Sequence, residues 1–496
     1  MLPPSAIEAG AHADDDPRMS RPLRRRIAAL AAGALLAGCQ VGPAFHRPTP
    51  PVPARFDAAG AAAPGAAPNA APPRNWWEGF GSPELSGLIA RARTRTYSLR
   101  EAVAQLEIAN AQVLGAGAPL LPSLTGGAGA SFSQAGPDVS GRGFGTKNSV
   151  THSYSASFQA AYQIDFWGKN RDALEAAEAN ADAARFNIAT VRLTAEAAVA
   201  TTYFQALADA DLLDTARRNL AAARGLRDQL RAELAAGVTD AQTLAQQEAL
   251  VAAEAATIPN LQSLYRQQVI ALGTLTGQAP EFLHVQGGSL GALHVPAIAP
   301  GLPGQLLDRR PDIAQATANL VAANASVREA IAAFYPNIAL TGSAGWQSGA
   351  LTALVSPGSA LLSAAASLTQ PIFDGGALLS TLRVDRATWD ERVALYEAAV
   401  AQAFADVETT LTALRYATRQ ERLQAEAVDR ARAALTAAEA QLAAGTVDIG
   451  TVLNAEQSLL NDQNTLVGAR LTRLDAAVNL YKALGGGWQW PRDRGH

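Results

Sequence analysis

Apolar and polar positions alternate along residues 153–166. Tyr154, Ala156, Phe158, Ala160, Tyr162, Ile164 and Phe166 fall on one face, and Ser153, Ser155, Ser157, Gln159, Gln163 and Asp165 on the other. Period two over this length predicts a β-strand with one apolar and one polar face. Residues 338–346 repeat the pattern with Ile338, Leu340, Ala344 and Trp346, and 362–368 with Leu362, Ala364, Ala366 and Leu368. Leu124, Ala128, Ala130 and Phe132 predict a fainter fourth strand. The remaining long stretches are helical in period. No proline occurs from Gly168 to Ala236 or from Gly375 to Ala444, and each stretch would be about 100 Å long as one helix. Val428, Leu435 and Leu442 stand seven apart, with Ala431 and Ala438 between them, which makes a heptad seam. Leu220, Ala223, Leu230 and Leu234 form a similar seam, interrupted by Arg227.

These patterns occur twice. Leu106, Asn110 and Pro122 match Leu320, Asn324 and Pro336 at a constant offset of 214. Gly237, Asp240, Thr243 and Glu248 match Gly445, Asp448, Thr451 and Glu456 at an offset of 208. Each copy reads as a helix (near 98–116 and 312–333), a proline, two alternating segments, and a long helix broken by Leu-Ala-Ala-Gly. Glycine supplies the left-handed conformation at which helices end. The chain then resumes as helix, so each break is the tip of a helical hairpin. The first repeat is placed at 76–278, with a β-hairpin at about 121–167 and a tip at about 234–240. The second is placed at 310–485, with a β-hairpin at about 336–374 and a tip at about 442–448. A linker (279–309) separates them and a tail (486–496) follows.

The N-terminus carries an address. Arg21, Arg24, Arg25 and Arg26 precede a short apolar run, Ile27 to Ala37, which is too short to span a bilayer. Leu36-Ala37-Gly38-Cys39 then resembles a lipoprotein signal, with residues 1–38 removed and Cys39 lipidated. Translation starting at Met19 would suit this leader better than Met1. Gln40, rather than aspartate, follows the cysteine, as in the outer-membrane class. Residues 39–75 are rich in proline and alanine and predict an extended tether.

Composition narrows the function. The net charge of −4 excludes a nucleic-acid binder working by bulk positive charge. Aromatics make up 6% against 48% hydrophobic residues, with alanine prominent, which favours closely packed long helices. One cysteine excludes a disulfide framework and multi-thiolate zinc sites. Gly287-Gly288-Ser289-Leu290-Gly291 matches the G-x-S-x-G elbow, but it lies in the inter-repeat linker rather than on a strand–turn–helix. Lys169, after Gly168, lacks the upstream glycine of a phosphate loop and reads as a solvated charge. No catalytic residue, metal site or cofactor is expected beyond the lipid on Cys39.

Four strands cannot close a barrel, and open strand edges cannot sit in lipid. If the strands are in a membrane, at least two chains must share one barrel, because small transmembrane barrels have about 8 strands. A lipid-anchored structural protein that spans the periplasm without conducting is the alternative.

Trp76 to Ala92, Leu306 to Leu320 with its Arg309-Arg310-Pro311-Asp312, the paired tips and the two hairpins resemble the TolC-like outer-membrane efflux factors. The lipobox points to their lipoprotein, NodT-like branch. The resemblance covers nearly the whole mature chain. It implies a mixed α and β fold, with a long α-helical coiled-coil barrel and a transmembrane β-barrel in a homotrimer, each chain giving four strands. It also implies an outer-membrane location, lipid-anchored and extending into the periplasm, and export of small molecules. The partners it implies are a periplasmic adaptor (membrane fusion protein) and an inner-membrane pump, most often of the resistance–nodulation–division type. Adaptor docking would fall on Ala235, Ala236, Gly237 and Val238, and on Ala443, Ala444, Gly445 and Thr446. The periplasmic gate would involve Leu442, Thr451, Leu453 and Asn454. In the family, acidic side chains near the second tip often narrow this gate; Asp448 and Glu456 are nearby acids here, each read as capping or solvating a helix. Thr451 and Asn454 are neutral here, so the expected gate works by packing and neutral hydrogen bonds.

Overall fold

The computed structural model describes residues 40–58, 71–135 and 149–490. The signal segment 1–38 and Cys39 lie outside the described residues, as do 59–70 of the expected tether and 491–496 of the tail. The principal elements are α1 (Pro83–Arg95), α2 (Tyr97–Gly117), β1 (Ser123–Ala135), β2 (Ser149–Ile164), α3 (Lys169–Ala235) and α4 (Ala241–Leu275), then α5 (Pro311–Ala332), β3 (Asn337–Ser348), β4 (Ala360–Thr369), α6 (Ala377–Ala443) and α7 (Ile449–Ala483). Both halves therefore carry a helix, two strands, a helix of 67 residues and a helix of 35. No helix among the described residues is long and apolar enough to cross a membrane.

The chain divides into two units. The first contains the sheet and its junctions, residues 117–173 and 327–382 with the described end of 1–43. Its four strands are antiparallel in the order β1-β2-β3-β4, leaving β1 and β4 as open edges. Register aligns the faces across strands. Gly126, Phe158, Ala344 and Leu362 form one row, and Leu124, Ala160, Gly342 and Ala364 the next. Thr125, Gln159, Ser343 and Ser363 form a row on the opposite face, where the Ser343 and Ser363 hydroxyls are 2.8 Å apart. The period-two reading holds to Ile164 and fails at Phe166, which lies beyond the strand. Asp165 ends the strand by accepting the backbone N–H groups of Asn170 and Arg171 at 3.1 and 2.9 Å, which starts α3. Gln40 donates to Asp172, a fully buried carboxylate that also pairs with Arg328 at 3.1 Å.

The second unit holds most of the helical residues. Its core gathers the Trp76–Phe80 turn, α1, α3, α4 and α7. Trp76 stacks on Tyr481 at 5.2 Å, and Phe80 packs on Phe204 at 5.1 Å. Ser82 caps α1 by accepting from Leu85 N at 3.1 Å. Pro311 opens α5 at its first turn, where its missing N–H costs nothing. Arg310 before it is buried. Its guanidinium donates to Asp312 at 2.7 and 3.1 Å, to Asp406 at 3.0 Å and to the Ala483 carbonyl at 3.1 Å. Burial pulls this group down, but the bonds and charges of Asp312 and Asp406 outweigh it and hold the guanidinium above its usual range.

Two segments expected to be peripheral are packed within this unit. The described part of the 39–75 segment is not a free tether. Phe56 is buried, Phe45 meets Trp389 edge-on at 6.2 Å, and Arg47 donates to the Tyr396 hydroxyl at 2.9 Å. Proline removes backbone donors, but it does not stop intervening phenylalanines and arginine from anchoring the coil. In the tail, Trp488 and Trp490 pack on Phe186 at 5.9 and 5.2 Å.

Candidate functional site

The two tips share one construction. α3 ends at Ala235, and Gly237 follows at φ +77°. Gly237 N–H donates to Leu234 O at 3.0 Å and Val238 N–H to Glu233 O at 2.9 Å, a paired pattern that satisfies the orphan carbonyls of the helix end. In the second copy Gly445 stands at φ +71°, with Gly445 N–H on Leu442 O at 2.9 Å and Thr446 N–H on Gln441 O at 3.0 Å. Asp240 and Asp448 cap the returning helices by accepting from Thr243 N and Thr451 N at 2.8 and 2.9 Å. Those bonds hold the Asp240 carboxyl below its usual range. The exposed crests are Ala235, Ala236, Gly237 and Val238 in one tip and Ala443, Ala444, Gly445 and Thr446 in the other. Val238 is 75% exposed. Arg231 and Glu248 tie the arms of the first hairpin at 2.7 Å. Its seam is closed by Leu220, Ala223 and Val251, with Gln247 donating to Ala223 O at 2.8 Å.

The four expected gate residues lie on the second hairpin, and no hydrogen bond joins any two of them among the described residues. Leu442 and Leu453 are half-buried. Thr451 spends its hydroxyl on Asp448 at 3.0 Å. Asn454 is exposed, and its carbonyl accepts from Ser458 at 2.8 Å. Sequence reasoning missed Glu254, and it read Glu456 only as an acid that caps or solvates a helix. Glu254 is buried on α4, and its carboxylate makes no side-chain hydrogen bond among the described residues. Burial raises the Glu254 carboxyl. Burial also raises that of Glu456 on α7, and the charges of Glu254 and Glu439 push it further. Gln247, Val251 and Glu254, the buried positions here, follow one helical stripe.

A second missed acid is Asp475 on α7. Its Oδ1 is buried with no hydrogen-bond partner among the described residues, and burial lifts the carboxyl to about 7. A carboxyl with a raised native pKa binds more protons folded than unfolded between about pH 4 and 7, so its contribution to stability falls as pH rises through that window. Asp475→Asn should therefore flatten the loss of thermal stability between pH 5 and 7.5, an effect on the order of a few kcal/mol. Equal melting curves for the two chains across that range would contradict it.

Ser289 is a structural serine. Its hydroxyl donates to Asp211 at 3.1 Å and accepts from Gly291 N at 3.1 Å, capping the short turn Leu290–Ala292. That is neither the strand–turn–helix nor the histidine partnership of a hydrolase elbow. Lys169 is not fully solvated as expected. It is half-buried at the strand-to-helix junction.

The sheet is the unusual surface. None of its described residues is buried on either face. Leu124, Phe158, Leu362 and Leu368 are 57–86% exposed on the apolar face. A soluble antiparallel sheet buries its apolar face on a core; the described residues supply none.

A family model for the outer membrane efflux protein matches residues 88–278 and 302–486. The chain is 36% identical over 452 residues to the pyoverdine export outer membrane protein OpmQ of Pseudomonas putida, covering 90% of this chain and 95% of that one. It is 28% identical over 459 residues to the probable outer membrane lipoprotein SilC of Salmonella typhimurium, covering 92% and 97%. The solved structure of the outer-membrane channel OprN aligns with a TM-score of 0.83 at 27% identity, covering 91% of this chain and 100% of that one.

Proposed function

The chain belongs to the outer membrane efflux protein family, and from that membership we propose that three copies form one duct through the outer membrane and periplasm. It is an outer-membrane efflux channel and not an enzyme. The bare sheet carries the finer reading. Its strands are 10–16 residues long, and about 9–11 suffice to cross a bilayer. The apolar face would meet lipid and the serine-, threonine- and glutamine-rich face would line water. The open edges of β1 and β4 require neighbours, because unpaired backbone groups in lipid each cost several kcal/mol. Three chains would give twelve strands.

The two halves act as structural repeats, so the long hairpins of three chains close a periplasmic coiled-coil cylinder. Its tips, around Gly237 and Gly445, dock on a periplasmic adaptor, which links the duct to an inner-membrane pump of the resistance–nodulation–division type. Cys39 carries the lipid anchor. The greater identity to the pyoverdine export protein OpmQ than to the lipoprotein SilC supports a cargo of the pyoverdine kind. Leu442 and Leu453 narrow the periplasmic end by packing, with Thr451 and Asn454 adding no charge.

Single-pore recording in planar bilayers tests the duct. Purified trimers should conduct, and millimolar divalent cations should leave the current largely unchanged. Strong divalent block abolished by Asn454→Ala would overturn the neutral gate. A trimer that carries no current would favour the non-conducting structural protein.

A further inference from the structure

Below the apolar band of the sheet lies a cleft of about 410 Å³. Gln163 to Trp167 and Lys169 line one side, Tyr335 to Asn337 the other, and Thr369, Pro371 and Leu378 close it. The band ends at the paired residues Ile164, Ile338 and Leu368, and Ile164 itself lines the cleft. The cleft is amphipathic. Trp167 and Tyr335 lie ring to ring at 4.7 Å, and the Trp167 N–H donates to Pro336 O at 2.9 Å, which fixes the indole. Aromatic rings with one polar end gather at the edges of lipid-facing bands.

Charge in the cleft is unbalanced. Asp165 is already satisfied by the backbone of Asn170 and Arg171 and by the Arg171 guanidinium at 3.3 Å. Lys169 has no hydrogen-bond or ion-pair partner among the described residues. The 67-residue helix α3 begins at Lys169, so the positive end of its dipole points the same way. A half-buried ammonium beside aromatic walls at the foot of a lipid-facing band needs an anion with an apolar body.

We propose that this cleft seats one bilayer phospholipid per chain, with its phosphate on Lys169 and its acyl chains along the apolar sheet face from Ile164 outward. The proposal rests on the membrane reading of the sheet. The anchor on Cys39 is a rival occupant, because Gln40 packs beside Gly168 at the same junction, where an added Cβ would meet it at 3.4 Å. A lipidated cysteine carries no phosphate, however, and would leave Lys169 unanswered.

Native mass spectrometry of the full chain tests the seat. The protein is extracted in detergent and exposed to dioleoyl phosphatidylethanolamine, or to dioleoylglycerol as the phosphate-free control. Wild type and Lys169→Arg should retain one phospholipid per chain. Lys169→Gln should hold it about tenfold more weakly, the loss of one charge-assisted bond. Cys39→Ser should leave the count unchanged. Equal retention by Lys169→Gln, or equal retention of dioleoylglycerol, overturns the proposal. A count rising by one per chain on Cys39→Ser would give the cleft to the anchor instead. The same spectra report the oligomer: a monomer would sink the shared barrel, whereas a trimer without lipid would sink only the seat.

Discussion

Phe158→Arg should abolish accumulation of the trimer in the outer membrane, whereas Gln159→Arg, one residue away, should not. Phe158 is 57% exposed in mid-strand, with Gly126, Ala344 and Leu362 around it on the apolar face. An arginine facing lipid near the bilayer midplane costs about 2–4 kcal/mol, and a threefold assembly incurs it three times. Gln159 sits among Thr125 and Ser343 on the face that would line water. There the added charges should change conductance and ion selectivity instead. Envelope fractionation and trimer mass read the first effect, and single-pore current reads the second. Normal insertion of Phe158→Arg would mean that this face does not meet lipid.

Arg310→Ala should lower stability by about 3–5 kcal/mol, the cost of leaving the partners of a buried ion pair without their cation. The guanidinium bridges three places far apart in sequence: Asp312 at the start of α5, Asp406 on α6 and the Ala483 carbonyl at the end of α7. Asp312 and Asp406 keep about a third of their side-chain surface, so the lower end of that range is expected. Arg310→Lys should recover only part of the loss, because an ammonium cannot serve three acceptors with a fixed fork. Denaturant melts of the purified chain measure both. A loss below about 1 kcal/mol would place the motif among ordinary helix starts.

The reading of Arg309-Arg310-Pro311-Asp312 marks where sequence stops. Pro311 announces a helix start locally, and α5 begins there. Nothing near Arg310 names Asp406 or Ala483 as its partners, because they lie 96 and 173 residues away. The same division runs through the candidate site. The tips were legible because a left-handed glycine and an aspartate cap are satisfied within six residues. The burial of Glu254 and the half-burial of Glu456 were not, because burial depends on which helices meet and carboxylates are usually solvated.

The sequence by itself determined the local architecture: four strands from period two, long helices from the absence of proline, and two tips from Leu-Ala-Ala-Gly. These follow from interactions between residues two to five apart, which spacing encodes directly. Only the tertiary structure decided that β2 pairs β3 and so joins the two halves in one sheet, that Phe45 and Phe56 fasten the proline-rich segment, and that Trp488 and Trp490 belong to a core. It also decided that, among the described residues, none covers the apolar sheet face. Those outcomes are contacts across hundreds of residues, and they are set by which surfaces can exclude water together.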